Sequence, residues 1–311
     1  METEKLNVLV IGDIMLDEYI IGIVDRISPE APVPIVLEKE RRYCLGGCGN
    51  VANNLRSLHV NVTCISVVGY GIYGTKIKTL LNSACINSTY IITTSIPTTI
   101  KTRVITDNKI QMLRIDKEIT NYDKSLKNKI IKNIKFCLKN NKFHAIIISD
   151  YNKGMFFKDI INTILKYSNY STIFADIKPC NIKYLTGQIY LLKPNEKEYK
   201  EIENEKISSE YILKTVGKKG MILLDANKKI MQTIKSTPVE VYNVSGAGDT
   251  VIAVLATCNG LNTIDLYTSI YIANECGRYV VQYSDTTPID YTFFMNLINS
   301  NLTDKVDATV S

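Results

Sequence analysis

Histidine is nearly absent: His59 and His144 are the only two in 311 residues. Cys44 and Cys48 lie four apart, but with no further Cys or His pair to join them a zinc site is not expected. Long apolar runs are missing too. None approaches the roughly 18–20 residues needed to cross a bilayer, and Met1-Glu2-Thr3-Glu4-Lys5 lacks the features of a signal peptide. A cytoplasmic protein without a membrane partner is therefore expected. The other six cysteines (Cys64, Cys85, Cys137, Cys180, Cys258, Cys276) are scattered without a disulfide framework, which suits reduced thiols. Charge of one sign is also weak, since 37 basic against 31 acidic residues leave a net +6 spread along the chain. That argues against a nucleic-acid partner. No repeat and no low-complexity linker divides the chain, and 45% hydrophobic with 22% charged residues describes an ordinary globular core.

What is present is an alternation. Leu6 to Ile11 is an apolar run closed by Gly12-Asp13, and the pattern recurs at Ala145–Ile148 before Ser149-Asp150 and at Thr172–Ala175 before Asp176. It appears again at Ile189–Leu192, before Lys193-Pro194-Asn195. Such runs predict buried parallel strands. Helical periods fall between them, at about 50–58, 73–81, 124–138, 159–166 and 195–202, so a doubly wound α/β sheet is expected. Open sheets of this kind place function at the carboxyl ends of their strands. Segments of about 19–43 and 88–115 have β-branched residues and no helical period, and read as a small separate β-sheet.

The most telling segment is Asn243-Val244-Ser245-Gly246-Ala247-Gly248-Asp249-Thr250, running into Val251-Ile252-Ala253-Val254. Small residues leave backbone amides uncovered where a helix begins, and the helix dipole makes that place favourable to anions. Asp249 would compete with a bound phosphate unless it does chemistry, such as taking a proton from an attacking hydroxyl. The alternative is a plain helix start, with Ser245 as N-cap and Asp249 as a first-turn acid.

This octet resembles the signature of the PfkB, or ribokinase-like, carbohydrate kinases. Gly46-Gly47-Cys48-Gly49-Asn50-Val51-Ala52 is similar to their di-glycine sugar-binding signature. Gly12-Asp13-Ile14-Met15-Leu16-Asp17-Glu18-Tyr19 and Arg26-Ile27-Ser28-Pro29-Glu30-Ala31-Pro32-Val33-Pro34 resemble the D-glycero-β-D-manno-heptose 7-phosphate kinases of that family, as do Lys101-Thr102-Arg103, Ser149–Gly154 and Asp176–Pro179. The resemblance implies one ribokinase-like kinase domain over 1–311 with the lid inserted at the two β segments, and a homodimer through that lid. No room is expected for the adenylyltransferase sometimes fused behind such kinases.

It implies further that Asp249, with the amides of Gly246, Ala247 and Gly248, is catalytic, and that ATP with magnesium phosphorylates the anomeric hydroxyl of the heptose 7-phosphate. The product would be the 1,7-bisphosphate, a precursor of ADP-heptose and the lipopolysaccharide core. Substrate contacts are expected from Asp13, Asp17, Arg26, Gly46, Gly47, Asn50, Lys101, Arg103, Asp150 and Lys153. Nucleotide contacts are expected from Lys178, Asn195, Glu198, Thr215, Gly217, Gly220 and Asn274, with Glu198 helping to place magnesium. Asn243, where the family usually has aspartate, would border a potassium site. The interval from Glu198 to Thr215 is short and lacks room for a helix flanking the nucleotide. Ser284-Asp285-Thr286 replaces a tighter Gly-Thr pattern. Two other readings stand beside this one: a PfkB-type kinase of another sugar or sugar phosphate, or a catalytically weakened sugar-phosphate-binding protein.

Overall fold

The computed structural model describes residues 3–168, 171–283 and 285–310, without the side chains of 4 and 302–310; Ser284 lies outside the described residues. Strands β1 (Asn7–Gly12), β2 (Ile14–Ile27) and β3 (Pro34–Gly47) lead into α1 (Cys48–Ser57), β4 (Asn61–Ile65), β5 (Val67–Gly69) and α2 (Ile72–Ser83). After β6 (Ile92–Thr94), β7 (Ile100–Thr106) and β8 (Gln111–Lys117) come α3 (Lys124–Asn140), β9 (Ala145–Ser149), α4 (Lys158–Tyr167), β10 (Thr172–Asp176), β11 (Ile189–Leu192) and α5 (Glu196–Ile202). The chain closes with β12 (Ser209–Thr215), β13 (Met221–Asp225), β14 (Ile230–Ile234), α6 (Ala247–Gly260), α7 (Leu266–Val280) and α8 (Tyr291–Val310).

Eight strands form the main sheet in the order β14-β13-β12-β11-β10-β9-β1-β4, parallel from β4 through β12 and antiparallel at β13 and β14. Both faces are apolar because successive side chains alternate. Val8, Val10 and Ile147 pack with α1, α6 and α7, while Leu9, Ile11, Ile146 and Ile148 pack with α3 and α4. Helix α3 shows the local logic. Asp123 caps it by accepting from the Leu126 amide at 2.7 Å, and Leu126, Ile130 and Ile134 repeat every four residues on the buried side. Each such isoleucine contributes roughly 1.5–3 kcal/mol on burial. The result is a three-layer α/β sandwich of the expected doubly wound class.

The second sheet, in the order β3-β2-β7-β8, is the small separate sheet expected as the lid. Its bounds differ from the expected 19–43 and 88–115. The lid strands run from Ile14 to Gly47, and residues 88–99 do not join them, because β6 pairs with β5 in a separate two-stranded sheet. β-Branched composition marks strands without saying which sheet they enter. Pro29 and Pro32 occupy the 28–33 turn and Pro34 opens β3. No helix lies between α5 and β12, where the short interval was noted. Among the described residues no helix is long and apolar enough to cross a membrane.

Candidate active site

Four neighbouring strands, β1, β9, β10 and β11, end side by side and deliver Asp13, Asp150, Asp176 and Lys193 to one edge of the sheet. Helix α6 begins above that edge with Asp249 in its first turn. Its N-cap is Gly246, not Ser245, whose amide donates to Asn243 Oδ1 at 2.9 Å. Gly246 has φ 86°, and a Cβ there would fall 2.7 Å from Asn50 Nδ2. A Cβ on Gly248 would stand 3.2 Å from Lys193 Nζ. Side chains thus approach the helix start closely, and the two glycines permit it.

Asp249 is 4% exposed. Its Oδ2 accepts from Asn50 Nδ2 at 2.9 Å and its Oδ1 from the Tyr151 hydroxyl at 2.6 Å. Burial lifts its pKa to about 6, against the pull of those two donors. A carboxylate near neutral pKa, mostly ionised at pH 7, is poised as a general base. Asn50 is itself oriented by Asn54, whose Nδ2 donates to Asn50 Oδ1 at 3.2 Å and to its carbonyl at 2.9 Å. Asn54 Oδ1 accepts from Thr250 Oγ1 and the Ile289 amide, both at 3.0 Å, so α1 and α6 are locked together. Asn50, expected to donate to the sugar, has its amide committed to Asp249.

Where nucleotide contacts are expected, Lys193, 3% exposed, pairs with Asp176 Oδ2 at 2.8 Å; Asp176 Oδ1 is buried with no hydrogen-bond partner among the described residues. Lys178 pairs with Glu198. A capping box starts α5: the Asn195 amide donates to Glu198 Oε2, and the Glu198 amide to Asn195 Oδ1, each at 2.9 Å. The Thr215 amide donates to the Pro194 carbonyl at 3.0 Å, and the turn after it carries Gly217 at φ 55° and Gly220 at φ 99°. Asn274 is buried and reaches the Lys235 carbonyl at 3.4 Å, which leaves adenine little of it to touch.

The lid contributes one polar face. Strand register sets Asp17 opposite Lys101 and Tyr19 opposite Arg103, so all four share a side. Arg103 reaches diagonally to Asp17 Oδ1 at 2.8 Å and lies 5.3 Å over the Tyr19 ring, and Tyr19 hydrogen-bonds Thr286 at 2.9 Å. Lys153 pairs with Glu118 at 2.5 Å. Lys101 differs from Arg103, Lys153, Lys178 and Lys193: no carboxylate lies within 4 Å of it among the described residues. Burial lowers its pKa. Its ammonium sits 5.4 Å over the Tyr151 ring.

Several expected sugar contacts are engaged elsewhere. Asp13 accepts three backbone amides, from Tyr151 (2.8 Å), Lys153 and Met155 (both 3.1 Å). Burial and the Asp150 charge still raise it to about 7. Asp150 accepts from the Asn152 and Lys178 amides and from Asn181 Nδ2. Both acids staple loops and have little left for a sugar hydroxyl. Gly46 and Gly47 are buried against the chain itself: a Cβ on Gly46 would meet Asp17 Oδ2 at 2.6 Å, and one on Gly47 would strike the Asp13 carbonyl. Arg26 is exposed at the far end of β2, nine residues and roughly 30 Å of strand from Asp17.

No group of three or more His, Cys, Asp or Glu able to hold a metal occurs among the described residues. Magnesium needs no such cage, because it binds through one or two carboxylates plus substrate phosphates and water. The unpartnered Asp176 oxygen and Glu198, two carboxylates whose charges both act on Lys178, fit that mode. Asn243 shapes the turn before α6. Tyr151, Lys193, Asp176 and Asn54 were not singled out as site residues, although Asp176 and Lys193 each end an apolar run.

Comparisons with known proteins give the family and the fold. A family model described as pfkB family carbohydrate kinase matches residues 5–291. The bifunctional protein HldE of Aliarcobacter butzleri is 36% identical over 97% of this chain and 67% of its own length, and that of Nitratiruptor sp. is 36% identical over 83% and 58%. This chain thus spans about three fifths to two thirds of such relatives. Phosphofructokinase-2 from Escherichia coli, solved in complex with substrates and products, superposes with a TM-score of 0.77 at 16% identity, covering 94% of this chain and 97% of the other.

Proposed function

Because the chain belongs to the pfkB family of carbohydrate kinases, we propose that it transfers the γ-phosphoryl group of ATP to the anomeric hydroxyl of D-glycero-β-D-manno-heptose 7-phosphate. The kinase activity follows from the family, whose members use ATP with a divalent metal. The sugar is our reading, and Lys101 carries it. A desolvated ammonium with no carboxylate within 4 Å among the described residues, on the lid face that also bears Asp17, suits a phosphate dianion at the far end of the sugar. Asp17 Oδ2 offers an acceptor for sugar hydroxyls.

In the proposed reaction the acceptor hydroxyl gives its proton to Asp249 Oδ1 as its oxygen attacks phosphorus in line. The Gly246 and Gly248 amides and the Lys193 ammonium offset charge on the transferring group, while the Ala247 amide, expected to join them, donates to the Val244 carbonyl at 3.4 Å. Magnesium would be held by the phosphates with Asp176 and Glu198, and supplies further charge neutralisation when bound. The bisphosphate would serve a nucleotide-activated heptose for lipopolysaccharide, in a cytoplasm that also keeps the eight thiols reduced.

A panel of sugars with and without a distal phosphate, assayed by ADP release, tests the substrate. The heptose 7-phosphate should be preferred. Lys101→Ala should raise its KM by about 10- to 100-fold with kcat little changed, as expected for loss of one charge-assisted contact. Equal use of unphosphorylated sugars by the unmodified protein would sink the phosphosugar reading.

We also propose a homodimer through the lid. Leu113 and Ile115, each 54% exposed, share the lid face opposite Lys101 and Arg103, and Ile27 and Leu37 add further exposed apolar surface to the sheet. Sedimentation should give a dimer, and Leu113→Lys with Ile115→Lys should give a monomer; an unchanged dimer would move the interface elsewhere.

A further inference from the structure

Tyr151 touches the candidate base and both flanks of the cleft at once. Its hydroxyl donates to Asp249 Oδ1 at 2.6 Å, and Lys101 from β7 and Lys178 from beyond β10 each stand 5.4 Å over its ring. The loop that carries it is held from below. Asp13 takes the amides of residues 151, 153 and 155, Asp150 takes that of 152, and Asn152 is fixed at φ 55°. A phenol on so constrained a loop is not free to swing out when substrate arrives.

We propose that Tyr151 is a positioning residue for phosphoryl transfer, fixing Asp249 through Oδ1 so that the remaining lone pair of that oxygen faces the acceptor hydroxyl and the carboxylate stays charged. This inference rests on the reading of Asp249 as the base. It also gives Asp13 a purpose: the acid at the end of β1 sets the loop that sets the phenol. Asn50 from α1 holds the other carboxylate oxygen, so the two donors define the plane of the base. The remaining charged groups that act on this pair are Lys193 from β11 and Asp176 from β10, with Asp17 from β2 acting on the phenol. Burial and the Asp249 charge hold the phenol well above its ordinary pKa, so Tyr151 remains a donor throughout the working range.

Burial lifts Asp249 to about 6 while the phenol pulls it down. Removing the phenol lets the carboxyl rise further, so less of it is ionised at any given pH, and the deficit vanishes well above the new value. A structural role alone would lower activity equally at every pH.

The test compares the unmodified protein with Tyr151→Phe and Asp249→Asn from pH 5 to 9, with ATP, magnesium and heptose 7-phosphate. In parallel, the protein is labelled with 13C at its aspartate carboxyls, and the resonance missing from Asp249→Asn is followed by NMR. For the unmodified protein the acid limb of kcat/KM and the Asp249 resonance should both titrate near the value of about 6. In Tyr151→Phe both should move up by roughly half to one pH unit, with turnover several-fold lower below neutrality, within about two-fold at pH 8.5, and KM for the sugar unchanged. A resonance that stays in place, or a loss independent of pH, overturns the role of Tyr151. Turnover by Asp249→Asn would instead overturn the base itself, and the NMR shift would still report on the Tyr151 contact.

Discussion

Asp249→Asn should lower kcat by about 10³-fold, the range of a lost general base, while the folded protein becomes more stable at neutral pH. The two effects have one cause. The carboxyl is buried and its pKa is raised to about 6 from 3.8, so folding favours the neutral form. For an acid shifted upward, the stabilisation is full below the unfolded pKa and is lost as pH rises through the folded one. At pH 8, above both values, the charged side chain therefore costs roughly 3 kcal/mol relative to a neutral one. Asparagine keeps the shape. Its oxygen can accept from Asn50, and its amide can donate to the Tyr151 hydroxyl, which turns to accept. Thermal unfolding at pH 8 should show a higher Tm for the variant, with binding of the sugar phosphate retained by calorimetry. A lower Tm, or turnover within ten-fold of the unmodified protein, would contradict the assignment.

Lys193→Met is expected to have the second largest effect, about 10²-fold or more in kcat. The ammonium is buried, bonded to Asp176 at 2.8 Å, and adjacent to Gly248 at the start of α6, where the phosphoryl group is proposed to sit. Its loss removes a fixed positive charge from the place where negative charge develops. It also strands Asp176, one of whose oxygens already lacks a partner, and breaking a buried pair in this way costs about 3–5 kcal/mol. The double variant with Asp176→Asn, measured against Asp176→Asn alone so that the loss of the proposed magnesium contact is common to both, separates the two consequences. Stability should recover, because no uncompensated charge remains, while turnover should not. If turnover returned with stability, Lys193 would be only a structural partner of Asp176.

Four adjacent strands of the main sheet, β1, β9, β10 and β11, were legible because they are largely apolar on both faces, as at Ala145–Ile148, and each leads into an acid or a lysine. The capped amphipathic helices were legible from period alone. The lid was legible as β-structure but not in extent, since Ile92–Thr94 has the same composition as the lid strands and pairs elsewhere. Within the site, Gly246 and Gly248 stand out because bare amides before an apolar helix have few uses. Asp13 and Asp150 show the limit. An acid at a strand end looks the same whether it faces a ligand or accepts loop amides, and only the folded loop 150–155 decides between them. Arg26 was misplaced for a related reason: a motif preserves order along the chain, but a 14-residue strand carries its far end out of the site. Tyr151 and Lys193 owe their importance to contacts with Asp249 and Gly248, about a hundred and about fifty residues away in sequence.

A crystal structure of the protein with heptose 7-phosphate and a non-hydrolysable ATP analogue measures the central distance directly. The acceptor hydroxyl should lie within about 3.2 Å of Asp249 Oδ1, with the analogue's terminal phosphate over the Gly246 and Gly248 amides and Lys193. An acceptor oxygen that settles beyond hydrogen-bond reach of that carboxylate, with both ligands fully bound, would contradict the account.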